Sequence, residues 1–349
     1  MAAIAAPPKI RFRDPQVEMA HGAGGKASRR LVEGLFAPLL FGAAADQPLG
    51  DAAHLDFSGT RIGITTDSFV VRPLRFPGGS IGELAVNGTV NDLAVSGTRA
   101  EALVVSFVLE AGLPTPVLEA EVRAMADAAR NAGVMIASGD TKVVEHGKAD
   151  GMYITTAGIG RAIPGLRLSP SAVRPGDQVI LSGPVGDHGI TILLARGELD
   201  LEADLHSDTR PVLPLVESII EVASAGLRWM RDPTRGGLAT SLNELARDCG
   251  LAIVLGEERI PVHDTVRGAC ELLGLDPLHI ANEGQFVAVL APEFAELALD
   301  ALQRTPGGED AAIIGEVRAT PASTVLGTAP YGGTRVIDML VGDPLPRIC

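Results

Sequence analysis

Short apolar runs that end in glycine or acidic residues, often followed by a helical pattern, recur along the chain. Residues 61–71 and 101–109 have the composition of strands, and residues 116–130 place apolar side chains at the spacing of one helix face. Further strands are predicted at residues 134–137, 152–159, 179–181, 227–230 and 286–290 and around Ile253, Ile313 and Val325, and a further helix at residues 292–303. This alternation predicts a mixed α/β (α+β) fold.

A proline-rich break near residues 164–176 divides the chain into two similarly patterned halves. The chain has 349 residues, about twice the ~150 of a typical domain, so two domains are expected. We predict an N-terminal domain at residues 1–163, a C-terminal domain at residues 164–333 and a tail at residues 334–349. Prolines among the last six residues favour an extended tail, which is mobile unless it docks.

Composition and charge narrow the class of protein. The formal net charge is −14, and there are only nine Phe, two Tyr and one Trp, so the surface does not suit nucleic acid. No apolar run approaches the ~18 residues of a membrane span, and we expect no export signal. Three cysteines without a C-x-x-C pair are typical of a reducing compartment. We therefore expect a cytoplasmic protein without nucleic-acid or membrane partners.

A glycine-rich segment near the N-terminus, HGAGGKAS, contains His21, Gly24, Gly25 and Lys26. It is not a P-loop, because that motif requires glycine and Ser or Thr where this chain has Ala20 and Ala27. Glycines nevertheless let backbone N–H groups approach an anion closely, and the lysine adds a positive charge. A phosphate-binding segment and a flexible turn both remain open.

Five aspartates lie at predicted loops: Asp51, Asp67, Asp92, Asp140 and Asp232. Carboxylates at strand ends can converge on Mg²⁺, which prefers oxygen ligands and bridges to phosphate. Such an ion would let an acidic protein hold a nucleotide. Aspartate is also common in turns and at helix caps, which is the alternative for each residue taken singly.

Two further motifs carry residue types that handle protons. Lys142 follows a Gly-Asp-Thr sequence, and Glu283 lies in the glycine-flanked ANEGQ segment. A lysine beside such a sequence can contact phosphate, and a glutamate in such a segment can act as a general base. A solvated surface position is the alternative for both.

The last residue, Cys349, is a nucleophile on a short tether. A chance terminal residue is the alternative, and the sequence alone does not settle its reactivity. Cys249 and Cys270 lie in helical patterns and are predicted to be core residues. His188, in the sequence GDHG, is a candidate polar site residue, and no histidine pair has the spacing of a zinc site.

Taken in order, these motifs closely resemble the HypE family of hydrogenase maturation proteins, part of the ATP-using group related to aminoimidazole ribonucleotide synthetase and selenophosphate synthetase. The motifs span nearly the whole chain: HGAGGK (21–26), TTDSFVV (65–71), VNDLAVSG (90–97), SGDTKVV (138–144), GDHG (186–189), RDPTRGGL (231–238), ANEG (281–284) and GTRVIDM…PLPRIC (333–349). The terminal PRIC is the specific element, since the Asp and Gly segments belong to the wider group.

The resemblance implies two α/β domains of the aminoimidazole ribonucleotide synthetase type, a homodimer joined through the N-terminal sheets, and ATP with Mg²⁺ as cofactors. It implies ATP-dependent dehydration of a carbamoyl group on the terminal cysteine to a thiocyanate, the source of the cyanide ligand of NiFe-hydrogenase. HypF would donate the carbamoyl group, and a HypC–HypD complex would accept the cyanide.

The same resemblance assigns roles to matching positions. Cys349 would carry the carbamoyl group, and Lys142 and Glu283 would handle protons. The expected Mg²⁺ ligands are Asp51, Asp67, Asp92 and Asp232, and the expected ATP contacts are His21, Gly24, Gly25, Lys26, Asn91, Gly139, Asp140 and Thr141.

Two other functions stay open at this point. Another ATP-using synthetase of the same group is one, although selenophosphate synthesis is disfavoured because the N-terminal glycine segment has no cysteine. The other is a non-catalytic maturation scaffold in which Cys349 only docks or carries a metal. That scaffold would turn over no nucleotide.

Overall fold

The predicted strands and helices form two sheets with helices on their faces, seen here in a computed structural model. It describes residues 11–41, 48–197, 203–329, 331–340, 342 and 347–349. The predicted extended conformation around Pro344 and Pro346 lies outside the described residues. Within them, no helix is both long and apolar enough to span a bilayer.

The N-terminal half is built on one five-stranded sheet with the order β1-β2-β7-β5-β6. Its strands, with a small separate hairpin, are β1 (Ala53–Phe57), β2 (Thr60–Phe69), β3 (Arg75–Phe76), β4 (Gly79–Ser80), β5 (Thr98–Glu110), β6 (Met135–Val144) and β7 (Met152–Ala162). Its helices are α1 (Lys26–Leu31), α2 (Ala37–Leu40), α3 (Ile81–Val95) and α4 (Thr115–Asn131), with a π-helix at Val32–Phe36 and a 3₁₀ turn at Met19–Gly22.

The C-terminal half is built on a seven-stranded sheet with the order β14-β13-β10-β12-β8-β11-β9. Its strands are β8 (Gln178–Leu181), β9 (Leu227–Arg231), β10 (Ala252–Gly256), β11 (Val287–Leu290), β12 (Ala312–Arg318), β13 (Thr324–Thr328) and β14 (Thr334–Val336). Its helices are α5 (Asp187–Ala195), α6 (Leu213–Ala223), α7 (Gly237–Cys249), α8 (Asp264–Leu273) and α9 (Pro292–Gln303), with 3₁₀ turns at Pro170–Ala172, Glu257–Arg259 and Pro277–His279.

Helix α3 is the central element of the molecule. All its residues except Glu83 and Asp92 are buried, because it lies between the N-terminal sheet, α4 and the C-terminal α6. A helix that is buried nearly all round needs partners on every side. Asp92 is therefore presented from a rigid, enclosed support.

The two halves share part of their interior. Helix α7 packs on one face of the C-terminal sheet, and α6 and α9 pack on the other. Side chains of α5 and α8, such as Ile190 and Val266, instead join the core of the N-terminal half. Buried Ile348, next to the last residue, joins the same core. Segments of both halves are thus fixed relative to each other.

The outer face of the N-terminal sheet is open. Every residue of β6 before Val144 is exposed. Exposed apolar side chains on this face include Ile64, Val104 and Ile159, which alternate with buried residues along β2, β5 and β7. Met135, Ile136 and Val143 are exposed on edge strand β6. A sheet face of this kind is usually covered by another surface.

Several sequence predictions are confirmed, and three positions are corrected. The helices predicted at residues 116–130 and 292–303 are α4 and α9. The aspartates do not all lie in loops: Asp67 is in β2, Asp140 is in β6 and Asp92 is in α3. The strand predicted at 134–137 runs on through Asp140, because β6 pairs with β5 over its whole length.

The tail begins later than residue 334. Thr334–Val336 form β14, which pairs with β13, and the Ile337 N–H donates to the Val325 carbonyl. Ile337 is buried in the C-terminal core. An apolar side chain at this position anchors the segment to the sheet, so residues 334–337 belong to the C-terminal domain.

Candidate active site

Three carboxylates meet where the two halves of the protein join. Asp51 precedes β1, Asp92 lies on α3 and Asp232 follows β9, and each offers an oxygen within 4.8 Å of the others. Oxygen ligands of this kind are what Mg²⁺ takes from proteins. Three of the four predicted metal ligands therefore converge.

The electrostatics of this cluster favour a bound cation. Burial and the charges of Asp232, Asp51 and Asp67 raise the pKa of Asp92 well above its usual value. Burial and the charge of Asp51 also raise the pKa of Asp232. Charged carboxylates this close repel one another, and a divalent cation would remove that cost. The donor set thus fits Mg²⁺.

Neighbouring polar groups hold the carboxylates in place. Arg231 Nε donates to Asp51 Oδ1 at 2.7 Å, and Arg231 also forms an ion pair with Glu244. Thr65 Oγ1 lies 2.8 Å from Asp92 Oδ2 and 2.7 Å from the Asp51 carbonyl oxygen, so its proton can reach either acceptor. Sequence reasoning singled out none of these three supporting side chains.

Asp67 stands beside the cluster rather than within it. Its charge raises the pKa of Asp92, and one of its oxygens lies 3.8 Å from Arg235 Nη2. Burial raises the pKa of Asp67 itself. Its role as a fourth metal ligand stays a prediction.

Glu283 is almost fully buried next to these groups, with 3% of its surface exposed. Its Oε1 has no hydrogen-bond partner among the described residues. Burial, followed by the charges of Asp67 and Asp208, raises its pKa well above the usual value. Burial without a hydrogen-bond partner for Oε1 in the described part of the chain makes this carboxylate a stronger base than a solvated one, which suits a group that takes up a proton.

The backbone around Glu283 is clamped by two side chains. Asp208 accepts hydrogen bonds from the N–H groups of Glu283 and Gly284 at 3.0 and 3.1 Å. Asn91 donates to the carbonyl of Glu283 at 3.0 Å and to that of Arg210 at 2.9 Å. Nothing in the sequence around Asp208 marks it for this role.

The predicted ATP contact at Asn91 is not what the structure shows. Both amide hydrogens are used as described, and its Oδ1 accepts from Val212 N–H at 2.8 Å. The side chain is 2% exposed. Because Asn91 lies one residue before Asp92 on α3, its side chain takes another direction, and it positions Glu283 instead.

The glycine segment borders a cavity but presents no cation to it. Gly24 has φ +81°, and a Cβ there would lie 2.4 Å from the Arg235 carbonyl oxygen. A Cβ on Gly25 would lie 2.4 Å from the Leu340 carbonyl oxygen. These glycines allow close packing of three segments. Their backbone contact with ATP stays a prediction.

The polar residues of the same segment have protein partners. His21 Nε2 lies 2.8 Å from Asp14, and its Nδ1 accepts from the Glu18 N–H at 2.8 Å. Lys26 forms an ion pair with Asp338. In this structure, the predicted ATP contacts of His21 and Lys26 are replaced by these interactions.

The terminal tripeptide (residues 347–349) is docked beside the glycine segment. Cys349 lines a cavity of about 200 Å³ that is also bordered by Gly25, Ser68, Arg235 and Leu340. The negative charge at Cys349 is the largest influence raising the pKa of the Arg235 guanidinium, followed among the charges by Asp67 and Glu283. Arg235 thus connects the terminal residue to the acidic groups.

The SGDTK segment lies apart from the cluster within one chain. Gly139, Asp140, Thr141 and Lys142 are exposed on edge strand β6, and Lys142 Nζ lies 3.8 Å from Asp140. Strand β6 is three positions from β2, which at ~4.8 Å a strand is about 14 Å from Asp67. Their predicted roles would therefore require a second chain or a movement of this strand.

Family models of known proteins match both halves of the chain and define its protein class. The family model "AIR synthase related protein, N-terminal domain" matches residues 49–162, and "AIR synthase related protein, C-terminal domain" matches residues 174–327. The chain is therefore an AIR synthase related protein. This agrees with the predicted fold.

Full-length relatives narrow the class. Carbamoyl dehydratase HypE of Azotobacter vinelandii is 49% identical over 98% of this chain and 99% of its own length, and the Escherichia coli K12 HypE is 43% identical over 95% and 99%. A crystal structure of a HypE–HypF complex matches with TM-score 0.84 and 42% identity over 89% of this chain and 99% of that chain. A HypE structure in complex with ATP matches with TM-score 0.79 and 44% identity over 96% and 100%.

This chain belongs to the HypE family, as its motifs predicted.

Proposed function

We propose that this protein is a carbamoyl dehydratase of NiFe-hydrogenase maturation, which converts S-carbamoyl-Cys349 to S-cyano-Cys349 at the expense of ATP. The observation that carries the proposal is the docking of residues 347–349, with Cys349 in a cavity that also contains Arg235. Negative charge at Cys349, Asp67 and Glu283 raises the pKa of the Arg235 guanidinium. A terminal thiol beside an acidic cluster and a buried base suits phosphoryl activation of a tethered group.

Relatives support ATP as the co-substrate, since a HypE with 44% identity has been solved in complex with ATP. Asp51, Asp92 and Asp232 would hold Mg²⁺, with Asp67 beside them. The ion would neutralise charge on the phosphates. The cavity next to Cys349 would receive the γ-phosphate end of the nucleotide.

Dehydration needs a leaving group better than oxide. The carbamoyl oxygen attacks the γ-phosphorus, ADP leaves, and one N–H proton is lost, giving a phosphorylated imidate on sulfur. Loss of the second N–H proton forms the nitrile as the carbon–oxygen bond breaks and inorganic phosphate departs. Glu283, with its raised pKa, takes a nitrogen proton, and Arg235 stabilises charge near the reacting group.

We propose further that a second copy of the chain covers the open face of the N-terminal sheet, forming the homodimer of the family. The exposed apolar side chains on that face support this. Lys142 and residues 139–141 lie about 14 Å from Asp67 within one chain, so they would act in the site of the partner copy.

Mixed dimers test this arrangement. Lys142→Ala and Glu283→Gln chains, each inactive alone, would regain activity when mixed if the two residues of one site come from different chains. Mixing Lys142→Ala with itself is the control. No recovery in verified mixed dimers would place Lys142 and Glu283 of one site on the same chain.

The partners proposed are HypF as carbamoyl donor and a HypC–HypD complex as cyanide acceptor. A solved HypE–HypF complex of a relative supports the first. The proposed location is the cytoplasm, in keeping with three cysteines that form no disulfide.

Mass spectrometry of the C-terminal peptide tests the function. After incubation with HypF and carbamoyl phosphate, Cys349 should carry a carbamoyl group, and Mg-ATP should then remove one water from it. A carbamoyl adduct that persists with Mg-ATP would refute the dehydratase. Absence of any adduct would favour a scaffold.

A further inference from the structure

Two backbone hydrogen bonds hold the terminal tripeptide against residues 70–72. The Val70 N–H donates to a terminal carboxylate oxygen of Cys349 at 2.9 Å, and the Arg72 N–H donates to the Arg347 carbonyl at 3.3 Å. The bonds join alternate residues in opposite order, which is antiparallel pairing. The carbonyl of Ile348, between them, faces away from this partner and needs another donor.

That donor is His188, at the start of α5, whose side chain is fully buried. Its Nε2 lies 2.5 Å from the Ile348 carbonyl oxygen. A carbonyl can only accept, so Nε2 carries the hydrogen. Burial lowers the pKa of His188, which keeps the ring neutral and leaves Nδ1 as an acceptor.

The second ring nitrogen completes a directed chain of hydrogen bonds. Ser207 Oγ lies 2.8 Å from His188 Nδ1 and donates to it. The same oxygen accepts from the Thr209 N–H at 3.2 Å. The Ile348 carbonyl thus sets the tautomer, and Ser207 orients the ring by its hydrogen bond to Nδ1.

Backbone pairing alone specifies a register weakly, since a two-residue slip would offer similar groups. The side chain of Ile348 is 7% exposed and belongs to the core that includes Ile190 and Ile192 of α5. Its carbonyl is held by His188 of the same helix. Ile348 is thus held by both its side chain and its carbonyl, and this places the neighbouring Cys349 in the cavity.

We propose that His188 is a positioning residue that receives the Ile348 carbonyl and fixes the register in which Cys349 enters the site. The proposal rests on the proposed function, since the positioned group is the carbamoyl carrier. Docking itself is measurable without nucleotide or partner, so failure of one proposal is distinguishable from failure of the other.

The test is the rate at which iodoacetamide alkylates Cys349 in the full chain, measured by mass spectrometry of the C-terminal peptide. His188→Ala should raise this rate about tenfold, the factor expected for losing one buried hydrogen bond. His188→Gln, whose amide can donate in place of Nε2, should restore most of the protection. Ser207→Ala should raise the rate by about threefold, because the Nε2–H donor remains but the ring loses the hydrogen bond that orients it.

Thr191→Val is the matched control. Thr191 is buried on the same helix, and its hydroxyl has no hydrogen-bond partner among the described residues. Alkylation of Cys349 should stay within about twofold of wild type in this variant. Half-buried Cys249, measured in the same digest, reports any general loosening of the fold.

Two outcomes overturn the proposal. One is an unchanged Cys349 rate in His188→Ala and Ser207→Ala. The other is an equal rise at Cys249, which assigns His188 a general structural role. In carbamoyl-loaded protein with Mg-ATP, His188→Ala should slow dehydration about tenfold while carbamoylation by HypF is not reduced. If Cys349 of the wild type is protected from iodoacetamide but its carbamoyl group is never dehydrated, the proposed function fails and the positioning role of His188 stands.

Discussion

Replacing Asp92 by asparagine should stabilise the metal-free protein and remove its response to Mg²⁺. One carboxylate oxygen from each of Asp51, Asp92 and Asp232 lies within 4.8 Å of the other two. At that distance two unit charges repel by about 3.5 kcal/mol at an effective dielectric constant of about 20. Proton uptake by the cluster and the pairing of Asp51 with Arg231 offset part of this repulsion. We expect the free energy of unfolding to rise by about 1–2 kcal/mol at pH 8.

The stability difference between Asp92→Asn and wild type depends on pH. The pKa of Asp92 is raised in the folded protein, so the unfolded chain loses this proton first, starting near the ordinary value of 3.8. Metal-free wild type therefore loses stability as pH rises from about 4 to the folded pKa of Asp92, and stays at the lower level above it. The asparagine variant lacks this contribution, so its stability should fall less over that range.

Urea unfolding in EDTA and in Mg²⁺, at pH 5 and pH 8, measures both effects. Mg²⁺ should stabilise wild type markedly and Asp92→Asn little. Asp56→Asn, at an exposed position of β1, is the control and should change neither quantity. The reasoning is refuted if Asp92→Asn is no more stable than wild type at pH 8 without metal, or if Mg²⁺ stabilises both equally.

Three further substitutions test the site. Cys349→Ser should change the free energy of unfolding by no more than about 1 kcal/mol, because the residue is only half-buried. The variant should still bind ATP by calorimetry but accept no carbamoyl group. Loss of folding would mean that the cysteine is structural. Glu283→Gln should keep carbamoylation and slow dehydration about 100-fold or more in a single-turnover assay, and unchanged turnover would exclude it as the base. Asn91→Ala should lower the free energy of unfolding by about 2–4 kcal/mol, since it leaves buried backbone groups of the Glu283 segment unpaired; a neutral result in urea unfolding would contradict the clamp.

The sequence predicted elements well where one local period governs packing. Helices α4 and α9 and strand β2 lie close to their predicted bounds, because each has one apolar pattern facing one core. The glycine segment was harder to interpret. The sequence left phosphate binding and a flexible turn both open, and phosphate contact stays a prediction. That Gly24 and Gly25 make room for the backbone of Arg235 and Leu340 is something no local pattern reveals.

The positions of the acidic residues could be predicted only in part from the sequence. Three predicted Mg²⁺ ligands converge, yet Asp92 projects from a helix and Asp67 lies within a strand rather than in loops. Aspartate prefers loops and helix caps because its carboxylate is usually solvated. This preference does not hold where the folded core keeps a carboxylate buried, which costs desolvation energy. Supporting residues such as Asp208 and Arg231 act only through contacts distant in sequence.

Docking of the terminal tripeptide depends on the same kind of distant contact. Its partners Val70, Arg72 and His188 come from both halves of the chain, 160 or more residues before the end. The sequence predicted a tethered thiol, but it could not predict where that thiol rests.

The fate of the carbamoyl oxygen tests the central claim most directly. Protein carrying a carbamoyl group labelled with a heavy oxygen isotope on Cys349 would be given Mg-ATP for a single turnover, and the inorganic phosphate would be analysed by mass spectrometry. Phosphoryl activation predicts one labelled oxygen in phosphate for each nitrile formed. Label released into water, with unlabelled phosphate, would contradict the account.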